Sequence, residues 1–319
     1  MSIKLAIPVL IASGLSSMAL ANQLTVYSAG PNNLITLLAQ DFQQQTGVRV
    51  NVFQGTTGQV MARLEAESSN PIADVVISAS WQSAIDLKAQ GDLLAYSPEG
   101  SEYVPDFLKD THYVAQGVSA LALVWNSNSG LPAPADWSDV TAAEYLDQVT
   151  MPDPAQSGAA FELLTGLLAA KGEDATWQLM ADLKQNQMIV PGPNARALNP
   201  VLQGAKSVVF GAVDYIALGQ QQQGEAIEVI FPTSGTVAAP RPMMIMASSK
   251  QQDNAKAFLD FVLSPEGQAR VAEVFLMPAR TDVEGLRPGL NELLLIEVSD
   301  DILAQREQIL ARFAREMAN

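Results

Sequence analysis

The chain has 319 residues, 48% of them hydrophobic and 16% charged, with a formal charge of −16, no Cys and a single His. That length suits two domains, and the hydrophobic fraction excludes a disordered chain. The acid excess repels nucleic acid and anionic membrane, and the absence of Cys removes disulfides, thiol nucleophiles, Cys-ligated zinc and iron–sulfur clusters.

Lys4, the apolar run from Leu5 to Ala12 and the small-x-small Ala19-Leu20-Ala21 predict a signal peptide over 1–21, cleaved after Ala21. The run is too short for a membrane anchor, so an exported, soluble mature chain is expected. Leu24 to Ser28 reads as a buried strand followed by a Gly30-Pro31-Asn32 turn. Leu34, Leu37, Leu38 and Phe42 follow helical spacing until Gly47. Val48 to Val52 alternates as a second strand, and Thr56-Thr57-Gly58 opens a helix carrying Val60, Met61 and Leu64. Ala73 to Ser78 is a third strand, and Ser80 is placed to cap a helix ending near Gly91. This strand–helix series predicts a βαβ lobe with a parallel sheet.

Tyr113 to Asn126 is too long for an ordinary strand and suits a crossing between lobes. Helical patterns follow at Phe161 to Ala170 and Thr176 to Asn186, with strand-like segments at Met188 to Val190, Ser207 to Phe210 and Ile227 to Phe231. A second crossing runs from Val237 to Ala247, Asn254 to Leu263 is an amphipathic helix, and Ser264-Pro265-Glu266 starts another. The tail from Asp300 to Met317 reads as one helix. The expected fold class is α/β with two lobes, a hinge of two crossing segments and a cleft. Lobe 1 comprises 22–115 and 245–282, lobe 2 comprises 116–244, and 283–319 is a C-terminal helical segment packing on them.

Ligands of open α/β sheets sit beyond the carboxyl ends of strands, near helix N-termini. The chain places Ser28 to Gly30, Gly55 to Gly58, Ser78 to Trp81, Ser157 to Ala160, Gly192 to Asn194 and Asp214-Tyr215 there. Small hydroxyl and glycine turns at helix starts can cradle an anion, or they can be plain N-caps. No Gly-x-Ser-x-Gly, P-loop or Gly-x-Gly-x-x-Gly pattern occurs. Gly204-Ala205-Lys206-Ser207 lacks the upstream glycine of a P-loop, His112 reads as a surface or hinge residue, and Asp300-Asp301 as a helix start. Nothing in the pattern calls for an enzyme or a cofactor.

Leu24-Thr25-Val26-Tyr27-Ser28, Gly55-Thr56-Thr57-Gly58, Ala73-Asp74-Val75, Phe231 to Thr236 and Leu263 to Gln268 resemble ferric-iron-type periplasmic solute-binding proteins of ABC importers. The resemblance spans the mature chain and implies a two-lobed, hinged periplasmic receptor that delivers its solute to a membrane permease; a monomer is expected. Iron-binding members carry two adjacent tyrosines, whereas this chain has Asp214-Tyr215. The turn Ser157-Gly158-Ala159 is similar to the segment that holds an anion in such proteins. The resemblance therefore implies a small organic phosphate or phosphonate, with 2-aminoethylphosphonate as the first expectation and a hexose phosphate as the second.

The expected ligand-binding residues are Ser28, Gly30, Thr56, Thr57, Ser80, Ser157, Gly158, Ala159, Asn194, Asp214, Tyr215 and Arg241. Thr56, Thr57, Ser157, Gly158 and Ala159 would hold the phosphoryl group and Asn194 would orient it. Asp214 would read a cationic or hydroxylated end, and Tyr215 would cover it. Arg241 would add charge to the phosphoryl, or stiffen the hinge through a salt bridge. Trp81 is a lid or a half-buried core residue. The alternatives are a ferric site using Tyr215 and Asp214 with a bound anion, and an exported phosphate-ester hydrolase.

Overall fold

The computed structural model describes residues 22–318, so the predicted signal peptide lies outside the described residues. Strands β1 (Gln23–Ser28), β2 (Arg49–Gln54) and β3 (Val75–Ile77) run parallel with β1 in the middle. Successive β1 side chains alternate between faces: Leu24 and Val26 enter one core and Tyr27 the other. Helix α1 (Asn32–Thr46) covers the first face through Leu34, Ile35, Leu38 and Phe42. Helices α2 (Thr57–Ala66) and α3 (Trp81–Gln90) cover the second through Val60, Ala84 and Leu87. Gly47 ends α1 in the left-handed region at φ 73°, which a glycine adopts without steric cost.

The sheet is mixed where an all-parallel one is expected. β8 (Ala238–Ile245) returns from lobe 2 and so pairs antiparallel with β3, from Val75↔Ile245 to Ile77↔Met243. β4 (Tyr113–Asn126) lies antiparallel beside β8 and then continues into lobe 2. There its far half pairs with β6 (Val208–Val213) and β7 (Ile227–Ile230), and β5 (Val149–Thr150) lies parallel to β6. The β4–β8 ladder breaks between Ala115 and Val118, so that Gln116 and Gly117 together oppose Arg241. This bulge sits where the two strands pass from one lobe to the other. β9 (Met277–Pro278) pairs with Gly117 and Val118 behind it.

Lobe 2 packs α4 (Gly158–Gln185) on one face of its sheet and α5 (Asn194–Leu202) with α6 (Asp214–Gln222) on the other. The two helical patterns expected at 161–170 and 176–186 are halves of α4, broken by the non-helical Gly172. Met188 to Val190 forms only a bridge from Ile189 to Thr150, because its partner β5 is two residues long and Pro152 follows. α7 (Gln252–Leu263) and α8 (Pro265–Glu273) return to lobe 1. The tail is two helices, α9 (Asp300–Leu303) and α10 (Arg306–Met317), where one is expected. On a continuous helix Leu303 and Ile309 would point about 120° apart. The break lets both, with Phe313, bury in the lobe 2 core. No helix among the described residues is long and apolar enough to cross a membrane.

A second bulge tests this packing. Gly211 stands unopposed between Ala212↔Ala122 and Phe210↔Leu123, at φ 76°, and a Cβ there would lie 2.3 Å from Leu163 Cδ2. Gly211→Ala adds left-handed strain to overpacking, together about 2–4 kcal/mol. Urea unfolding followed by circular dichroism should show that loss; an unchanged midpoint would mean Leu163 gives way freely.

Candidate functional site

The turns after β1, β2 and β3 converge on the lobe boundary. Gly55 N–H donates to Ser28 O at 3.0 Å and Gln54 Nε2 to Gly30 O at 2.7 Å, tying the first two turns together. Ser28 Oγ accepts from Gly30 N–H, so this serine shapes its own turn. Thr56 forms a complete capping box with Gln59, and its hydroxyl is spent on α2. Thr57, the next residue, is 4% exposed and its Oγ1 has no partner among the described residues.

On the lobe 2 side, Ser157 caps α4 by accepting from Ala160 N–H at 3.2 Å and donates to Asn194 Oδ1 at 3.0 Å. The expected anion turn and Asn194 are thus brought together. Gly158 is pressed against lobe 1: a Cβ there would lie 2.5 Å from Ala79 O. Gly58 likewise faces Ala155 O, 3.0 Å from its would-be Cβ. Ala159 is buried in the lobe 2 core. The lobes are therefore shut on each other. Ser80 holds the N-cap position of α3 without capping it, and donates instead to Glu162 Oε1 across the boundary at 3.1 Å. Trp81 is half-buried and edge-on to Tyr113 at 5.0 Å, which makes it core and not lid.

Asp214 is the main correction. Its carboxylate is 0% exposed and ion-paired with Arg287 of the C-terminal segment, while also accepting from Ala120 N–H and Tyr215 N–H at 2.7 Å each. Burial pushes this carboxyl up, and the guanidinium and both N–H donors pull it back. Every strong donor around it belongs to the protein, so it is not placed to read a ligand. The same pairing takes Asp214 out of the alternative ferric set. Among the described residues no group of three or more His, Cys, Asp or Glu could hold a metal ion.

Arg241 is the reverse case. It is 1% exposed and projects from the β8 side of the hinge bulge. Nη1 donates to Ala29 O at 3.2 Å and Nη2 to Tyr215 Oη at 3.3 Å, with the guanidinium 5.0 Å from the centre of the Tyr215 ring. Its Nε has no partner, and Arg241 forms no ion pair among the described residues, so the alternative of a hinge salt bridge is not realised. Gln116, opposite it in the bulge, is 1% exposed with an unpartnered Oε1, 3.7 Å from where a Gly30 Cβ would stand. Burial pushes the Tyr215 phenol up, and Arg241 opposes this, so Tyr215 remains a neutral donor and acceptor.

A buried guanidinium without a carboxylate is costly unless an anion completes its shell. Arg241, Tyr215 and Gln116 therefore form a set with the chemistry to bind a compact anion and one further polar group, and Thr57 offers a second unpartnered buried hydroxyl two residues after Gly55. Gln116 was not among the expected residues, although a lone glutamine in the apolar run Val114 to Val118 is a readable signal. Arg287 carried no signal, because its partner lies 73 positions away.

Comparison with known proteins gives the family and the fold. The family model described as bacterial extracellular solute-binding protein matches residues 70–299. A Salmonella typhi periplasmic protein provisionally named for 2-aminoethylphosphonate binding is 25% identical over 272 residues, 81% of this chain and 79% of that one. The Actinobacillus pleuropneumoniae periplasmic binding protein AfuA, solved with exogenous fructose-6-phosphate bound, superposes with a TM-score of 0.85. It is 22% identical, covering 92% of this chain and 98% of that one. A ferric binding protein from Campylobacter jejuni gives 0.79 at 24% identity, covering 92% and 99%.

The Asp214–Arg287 pair yields a direct test. Asp214→Asn leaves Arg287 buried and uncompensated, at a cost of about 3–5 kcal/mol. Replacing both, as Asp214→Asn with Arg287→Met, should recover much of that. Guanidinium-chloride unfolding of the single and double variants measures the coupling; additive losses would mean the two residues act independently.

Proposed function

Because the chain belongs to the bacterial extracellular solute-binding protein family, we propose that it captures a small organic phosphate or phosphonate between its lobes and presents it to the membrane permease of an ABC importer. The observation that carries this reading is Arg241: a buried, unpaired guanidinium at the hinge, with Tyr215 beside it. A phosphoryl group would complete the Arg241 donors and accept from the Tyr215 and Thr57 hydroxyls. The N-terminus of α4, with Ser157, Gly158 and Ala159, would close over it from lobe 2.

The rest of the ligand meets Gln116 Oε1, which needs an N–H or O–H donor. Asp214, the carboxylate expected to pair with an ammonium, is committed to Arg287. Hydroxylated phosphates therefore rank ahead of 2-aminoethylphosphonate. A ferric ion is disfavoured by the guanidinium beside Tyr215 and by the loss of Asp214 as a ligand. The role is capture and release, not turnover. Ligand contacts made only with both lobes together shift the population to the closed form, whose surface the permease reads. The mature chain would start at Asn22 in the periplasm and act as a monomer.

Calorimetry against fructose 6-phosphate, 3-phosphoglycerate, 2-aminoethylphosphonate and inorganic phosphate tests the reading. At least one organic phosphate or phosphonate should bind, hydroxylated members more tightly than the amine. Arg241→Gln should weaken that binding by about a hundredfold or more, as expected for lost charge-assisted hydrogen bonds of about 1.5–3 kcal/mol each. Silence across the panel, with a visible charge-transfer band on adding ferric citrate, would establish the iron reading instead. Hydrolysis of a chromogenic phosphate ester would make the chain an enzyme.

A further inference from the structure

Glu162 is a buried carboxylate that ligand capture does not use. It lies in α4 of lobe 2 and is 4% exposed, yet its donors belong to lobe 1. Ser80 Oγ and Trp81 N–H each donate to its Oε1 at 3.1 Å, and the Gln82 N–H favours its charged form. The carboxylate is thus seated on the N-terminus of α3, across the boundary where Gly158 meets Ala79. These bonds exist only while the lobes are together.

The charges that face this node are few. Arg306 of α10 stacks over the Phe161 ring at 4.8 Å and acts on Glu162. It also feels Asp86 of α3, which accepts from Gln82 Nε2 at 2.6 Å. Arg306 makes no ion pair among the described residues and its Nη1 has no hydrogen-bond partner, so Glu162 is only partly compensated.

We propose that Glu162 is a proton-linked latch between the lobes: closing transfers a proton from solvent to its Oε2, while Oε1 keeps the bonds from Ser80 and Trp81. The proposal rests on hinge closure and not on the identity of the solute. Burial pushes the carboxyl from its ordinary 4.5 up to about 7, against the pull of the donors and Arg306. When the lobes part, Ser80 and Trp81 leave and water replaces them, so the carboxyl relaxes toward its ordinary value. A value raised in the closed form favours closure fully below the open-form value, and the advantage fades as pH rises through about 7. Complete relaxation would change the closed-to-open ratio by roughly 300-fold, and partial solvation by about tenfold.

The chain has no Cys, so Glu102→Cys in lobe 1 and Glu144→Cys in lobe 2, both exposed, give two unique spin-label sites. Distance distributions of the ligand-free chain between pH 8 and pH 5 read closure directly. The closed-to-open ratio should rise about tenfold as pH falls. Glu162→Gln, shaped like the protonated acid, should hold the low-pH ratio at every pH. A ratio that ignores pH in the labelled parent chain overturns the proposal without any further variant, and so does a pH dependence that survives in Glu162→Gln. No solute enters the measurement, so its failure is distinct from failure of the ligand reading.

Discussion

The antiparallel pairing of β4 with β8 is the constraint on which the molecule depends. These two strands belong to both lobes, so neither lobe has a complete sheet without them. Their ladder is interrupted at one place, where Gln116 and Gly117 oppose Arg241. A bulge increases twist and bends a strand, which makes it the place for a hinge. The same irregularity turns Arg241 and Gln116 toward the turns after β1. The hinge and the unpartnered polar atoms of Arg241 and Gln116 are one feature of the backbone.

The bulge is braced from behind. Gln268 of α8 donates to Gln116 O at 2.8 Å and Val262 O at 3.0 Å, and accepts from Ala279 N–H at 2.7 Å. Gly117 has no room for a side chain, since a Cβ would lie 2.7 Å from Val271 Cγ1. The motif from Leu263 to Gln268 acquires a physical meaning here. Ser264 caps α8 through Gly267 N–H, Gly267 packs under the Phe261 carbonyl, and Gln268 grips the hinge. Similarly, Thr233 and Ser234 of the second motif both donate to Asp136, and Gly235 O receives the Trp137 indole N–H. The bonds that these motifs make within the chain hold the scaffold.

Burial sorts the charged residues at the lobe boundary into separate tasks. Asp214 and Arg287 neutralise each other and fasten the C-terminal segment to the start of α6. Arg241 has no counter-charge among the described residues, which is the basis of the anion site proposed for it. Glu162 has donors only from the opposite lobe, so its state is tied to lobe position. In water these four side chains would behave much alike within each sign. In a desolvated interior the identity of each partner decides whether a charge fastens, binds or switches.

Local pattern sufficed wherever it reports burial directly. The buried strand β1, the spacing of α1, the glycine stop at Gly47 and both long crossings follow from the sequence, because they depend on neighbours within a few residues. So do the caps at Thr56, Ser157 and Ser264. The split of the tail into α9 and α10, the antiparallel entry of β8 into lobe 1 and the single bridge at Ile189 needed the packed molecule. The site divides in the same way. Tyr215, at a helix start, and Arg241, between two prolines of the second crossing, are recognisable in the sequence, and they do meet. That Asp214 belongs to Arg287, Ser80 to Glu162 and the bulge to Gln116 was decided only by tertiary structure. Each of those pairings joins residues tens of positions apart, and the energy of a buried charge is set by what surrounds it in space.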